Sequence, residues 1–68
     1  MEYVVILEPS ETGFGAYAPD LPGCVAVGET REETLQLMKE AVAFHLEGLR
    51  ENGESIPMPH ATAEKIAV

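Results

Sequence analysis

The chain has 68 residues, 46% of them hydrophobic, with twelve acids against four bases and a formal net charge of -8. A chain of this length holds one domain, whose single core supplies roughly 3–5 kcal/mol unless a disulfide, a metal or a partner adds to it. One cysteine excludes an internal disulfide, Cys24 is not spaced with His45 or His60 as a zinc set, and the acidity repels phosphate backbones. Composition therefore leaves oligomerisation as the remaining source of stability and argues against direct nucleic-acid binding. No apolar run reaches the roughly 18 residues of a membrane span, and MEYVVILEP lacks the basic start of a signal peptide. The expected location is the cytoplasm.

In chain order, Tyr3–Leu7 reads as a first strand, because YVVIL is β-branched and aliphatic, too short for a helix, and runs into Pro9. Pro9 to Gly13 is turn chemistry, and Phe14–Ala18 reads as the returning arm of a hairpin. Gly13 and Gly15, on either side of Phe14, point to a bulge or a close backbone approach.

Pro19 drives Ala18 into an extended conformation, and Leu21-Pro22-Gly23-Cys24 has the Pro and Gly positions of a type II turn. Pro19, Asp20, Pro22 and Gly23 thus form a preset corner, in which Asp20 is expected to hold a local backbone bond. Cys24–Val27 follows as a third strand, closed by Gly28.

Thr30 and Glu33 form a capping box, with the threonine oxygen on the Glu33 N–H and the Glu33 carboxylate reaching back to the Thr30 N–H. The helix that begins there runs to about Glu51, where Asn52-Gly53 supplies a left-handed stop. Leu35, Met38, Val42, Leu46 and Leu49 fall on one stripe, the face that packs on the sheet. Pro57 and Pro59 make Glu54–His60 an extended connector, and Ala63–Val68 is expected to add a fourth strand to a sheet edge. The predicted fold is α+β: one domain, residues 1–68, with a small antiparallel sheet of three to four strands on one helix.

A sheet covered on one side alternates apolar with polar residues; these strands do not. Val4 and Ile6 oppose Tyr3, Val5 and Leu7, Val25 and Val27 back onto Cys24 and Ala26, and a second helix stripe carries Leu37, Ala41, Phe44 and Gly48. Apolar surface beyond what one helix covers marks a contact with another chain, so Val4, Ile6, Leu37, Ala41, Phe44 and Gly48 are the candidate oligomer or partner interface, a homodimer being the commonest arrangement.

Catalytic chemistry is not apparent. Asp20 is the only aspartate, the glutamates cluster at the helix ends, Cys24 begins a strand as a small core residue, and His45 borders the core stripe. No catalytic, cofactor-binding or metal-ligating set is assigned, and no phosphate loop or basic patch is present. A rival reading from another class is a metal-dependent hydrolase built on Asp20 and one or two glutamates; a third is a structural homo-oligomer or ligand-binding module.

Three segments, GFGAYAPDLPGC, GETREET and HLEGLRENGESIP, stand in an order and spacing that resembles the HicB antitoxins of type II toxin–antitoxin systems. The resemblance covers nearly the whole chain and implies a βββαβ domain, a degraded ribonuclease H-like fold without catalytic acids. It also implies a partner, a small basic HicA-like ribonuclease toxin that the domain masks. Many members add a C-terminal DNA-binding module; this sequence is similar to a short form without one. Through the resemblance, Tyr17, Pro19, Asp20, Leu21, Pro22, Gly23 and Cys24 carry scaffold geometry, and the acidity becomes complementarity to a basic toxin.

Overall fold

A computed structural model describes all 68 residues. Three antiparallel strands, β1 (Ile6–Ser10), β2 (Gly13–Tyr17) and β3 (Val25–Gly28), form a meander in the order β1-β2-β3, followed by one helix, α1 (Arg31–Glu51). The class is the α+β sheet-on-helix arrangement expected from the sequence.

Strand β1 sits later than YVVIL suggested, and the pairing register explains why. Ile6 faces Tyr17, so pairing Val5 and Val4 would require Ala18 and Pro19, where the chain leaves the sheet. At the other end the strand runs through Pro9 to Ser10, which faces Gly13, leaving only Glu11 and Thr12 as the hairpin loop. Because β1 is an edge strand, one side of its backbone has no ladder to join, and a proline can stand there.

The corner between β2 and β3 consists of two consecutive turns. Leu21 N–H donates to Ala18 C=O at 3.0 Å, and Cys24 N–H donates to Leu21 C=O at 3.0 Å. The second turn is type II, with Pro22 leading and Gly23 at φ 83°, a conformation that other residues adopt only under strain. Together the turns drive Leu21 inward, where it is fully buried between Ala18 and Cys24.

Thr30 caps α1: its side-chain oxygen accepts the Glu33 N–H at 3.1 Å. The reciprocal arm differs from the expected box, because Glu33 Oε1 accepts the N–H of Glu29, one residue earlier than Thr30, at 3.1 Å. The helix ends in a Schellman motif: Glu54 N–H bonds Leu49 C=O, Gly53 N–H bonds Arg50 C=O, and Gly53 has φ 69°.

The core is small. Ala16, Ala18, Leu21, Cys24 and Met38 are its buried apolar residues, and Tyr3, Val5, Leu7, Ala26, Ala41, Val42 and Leu46 pack against them. Thr34 is also fully buried, its hydroxyl donating to Thr30 C=O at 2.7 Å.

The fourth strand does not form: residues 54–68 have no regular secondary structure. Pro57 and Pro59 remove two ladder donors, and the next two N–H groups, of His60 and Ala61, are taken by the Asp20 carboxylate. Beyond Ala61 every residue is exposed, and the radius of gyration, 13.1 Å, exceeds the roughly 11 Å of a self-contained chain of this length.

Candidate functional site

Of the polar side chains that the sequence singles out, those of Asp20, Thr30 and Glu33 bond the protein's own backbone. Asp20 stands in the first turn of the corner, as expected, but its carboxylate bonds remotely. Oδ2 accepts the N–H of His60 and of Ala61, both at 2.9 Å, while Tyr3 donates its hydroxyl to Pro57 C=O. The connector after α1 is therefore a strap, tied at Tyr3 and again at Asp20, across the end of the sheet where β1 begins and β2 ends. The Ala61 N–H, outweighing partial desolvation and aided by the His60 N–H and charge, holds the Asp20 carboxyl below its ordinary value. No set of three His, Cys, Asp or Glu side chains converges in a geometry that could hold a metal ion.

Cys24 is buried, and desolvation pushes its thiol above the ordinary value. It packs in the core beside Ala18 and Leu21. His45, half-buried, lines a groove between α1 and the start of β3.

Apolar surface remains uncovered on both sides of the molecule. The sheet register places Leu7, Ala16 and Ala26 in one row against the helix, and Ile6, Tyr17 and Val25 in a row on the opposite face. On that face Val25 is 62% and Val27 73% exposed. Val4 and Ile6 are half-buried, whereas Leu37 is 39% and Phe44 79% exposed. Gly48, half-buried, has open space where a side chain would stand.

Ala41 differs from its neighbours on the second stripe, because it packs against the core cluster. Three residues beyond Met38, it stands only about 60° from that buried side chain around the helix, which places it on the border of the two stripes. The sequence sets Val25 and Val27 on the strand face opposite Cys24 and Ala26 without deciding which face is outermost, and it does not single out Tyr17. The signal for all three is their two-residue alternation with Ala16, Ala18, Cys24 and Ala26, all of which pack inward.

These features define a small α+β domain in which Tyr3, Asp20, Thr30, Glu33 and Thr34 bond the protein's own backbone and large apolar side chains remain exposed. A family model described as HicB_like antitoxin of bacterial toxin-antitoxin system matches residues 3–67. A UPF0150 protein of Thermoplasma acidophilum is 39% identical over 100% of this chain and 97% of its own length. Antitoxin HicB 1 of Photorhabdus laumondii is 40% identical over 87% of this chain, which spans 39% of that protein's length. A similar protein of Haemophilus phage HP1 is likewise spanned for only 43% of its length. Among solved structures, a chain of a HicA3 and HicB3 toxin-antitoxin complex superposes with a TM-score of 0.75 at 32% identity, covering 88% of this chain and 70% of that one. The chain belongs to the HicB-like antitoxin family, and no helix in it is long and apolar enough to cross a membrane.

Proposed function

We propose that this domain is a non-enzymatic antitoxin that masks a small basic ribonuclease toxin of the HicA type in the cytoplasm. The observation that carries the reading is the likeness, at 32% identity over 88% of the chain, to a component of a HicA3 and HicB3 toxin-antitoxin complex. Physical features support it. A net charge of -8 favours encounter with a basic partner. Asp20, on which a hydrolase reading would depend, spends its carboxylate on the His60 and Ala61 amides.

The same reading makes exposed Leu37 and Phe44 and half-buried Val4, Ile6 and Gly48, with Ala41 at their margin, contact surface for other chains, among them further copies of this one. Pro19, Asp20, Pro22 and Gly23 then hold the frame, and Thr30 and Glu33 start the helix that presents Phe44.

Co-expression with the product of an adjacent reading frame encoding a short basic protein is the test. The antitoxin reading expects growth arrest by that protein alone, rescue by this chain, and a complex that loosens as salt rises. Arrest without rescue, and no co-purifying complex, would remove the toxin-masking role. A chain that purifies as a stable homo-oligomer and leaves the toxin untouched would instead be a structural module.

A further inference from the structure

The geometry points to a second copy of this chain as the occupant of the groove between α1 and β3, with Phe44 of each copy seated over Gly48 of the other. The inference rests on the reading that the uncovered apolar surface is a protein contact; it goes further by naming the surface and what fills it.

The groove has a volume of about 480 Å³ and is lined by Val25, Ala41, Phe44, Gly48 and Leu49 among its nine residues. None of the nine is Asp, Glu, Lys or Arg, although twelve acids and four bases make sixteen of the 68 residues charged. That neutrality selects the occupant. The nearest carboxylates on the helix, those of Glu40, Glu47 and Glu51, lie outside this lining, so the centre of the groove offers a basic toxin no ion pair. A second copy, carrying -8 itself, needs a contact whose centre holds no like charge, and this groove supplies one.

Shape selects the same occupant. Phe44 projects with 79% of its surface exposed, and one helical turn later Gly48 leaves nothing within 4 Å of where a side chain would begin. Protrusion and recess therefore lie on one surface, one helical turn apart. A two-fold axis passing between them brings the two α1 helices together antiparallel and matches each protrusion to the partner's recess, as an isologous interface requires. The buried ring is the type of anchor that dominates such contacts. Val25 lines the groove where it meets β3, whose outer edge has no strand beside it. With only six residues buried in the single chain, the pairing also supplies core that the monomer lacks.

Salt separates this contact from toxin binding. Glu40, Glu47 and Glu51, all exposed, follow or precede Phe44 by three, four or seven residues on the helix and rim the contact. Raising salt from about 50 to about 500 mM screens their repulsion and tightens self-association, whereas it weakens a complex with a basic toxin.

Sedimentation equilibrium of the full chain at about 50 µM across that salt range reads the effect directly. The wild type is expected at twice the chain mass, more completely at high salt. Phe44→Ala removes the protrusion, and Gly48→Leu fills the recess with a better helix former; both are expected at the single-chain mass, with unchanged helical circular dichroism. A wild type at single-chain mass throughout overturns the inference, and so does a dimer that survives both substitutions. Co-purification of the same variants with the basic toxin is read separately: loss of toxin binding by an intact wild-type dimer sinks the masking reading and leaves this one standing.

Discussion

The carboxylate of Asp20 accepts the backbone N–H of Ala61 at 2.9 Å across 41 positions of sequence. With the adjacent His60 N–H at the same distance, this bond fixes the strap that follows α1, because Pro57 and Pro59 allow no ladder of its own. Asp20→Ala removes both acceptor contacts at once. Amide exchange at His60 and Ala61 is expected to accelerate in that variant, while α1 stays protected. Equal acceleration in the helix would mean that Asp20 supports the whole fold and not the strap alone.

Protonation should imitate that substitution. The folded-state value of Asp20 lies below the ordinary 3.8, chiefly because of the Ala61 N–H. The charged form is thus favoured in the folded chain. Its contribution is fully present above the ordinary value and is lost as pH falls through the depressed one. Amide shifts of His60 and Ala61, followed by NMR down an acid titration, should therefore move together with a midpoint under 3.8. A midpoint at or above that value would show that the bonds do not favour the carboxylate.

Much of this fold can be read from local chemistry, and what cannot depends on partners far along the chain. Thr30, Gly23 and Gly53 each occupy the position that their residue type predicts, since a helix cap, a type II turn and a helix stop are decided within four to six residues. The start of β1 is different. YVVIL has strand composition throughout, but only Ile6 and Leu7 join the ladder, because Pro19 ends the partner strand that Val4 and Val5 would need. The role of Asp20 and the loss of the fourth strand are one event at long range, as the same two N–H groups cannot serve both. For the candidate surface, periodicity identifies Phe44 and Leu37 and sets Val25 and Val27 against Cys24 and Ala26, but only the register shows that the two valines take the outer face.

Cys24 should behave as an inert thiol. It is 4% exposed, and burial raises its value above the ordinary 9.0, so little thiolate is available at neutral pH. Labelling with a soluble disulfide reagent is expected to be slow in the native chain and fast in denaturant, with the native rate following unfolding. Rapid native labelling would place the thiol in solvent.

Gly28 tests how closely β3 approaches the helix start. A methyl group there would stand 2.5 Å from Thr34 Oγ1 and 3.1 Å from Glu33 Oε1, two atoms already engaged in the cap and its neighbouring bonds. Gly28→Ala is expected to cost about 1–3 kcal/mol, in the range of overpacking a close contact. A denaturation midpoint equal to wild type would show that the cap yields freely.

Met38 is where the small core is most exposed to damage. It is 1% exposed and belongs to the cluster of Ala16, Ala18, Leu21 and Cys24, whose other members apart from Leu21 are small, so few side chains can relax into a cavity beside it. Truncating a buried Met to Ala costs about 2–5 kcal/mol, against the roughly 3–5 kcal/mol that a core of this size supplies by itself. Met38→Ala is accordingly expected to be largely unfolded as an isolated chain at 25 °C, with helical circular dichroism lost. If self-association contributes to stability, raising protein concentration should recover part of the signal, as binding that favours the folded state must. A variant that melts cooperatively near the wild-type temperature at every concentration would show that the folded chain owes less to this residue than its burial implies.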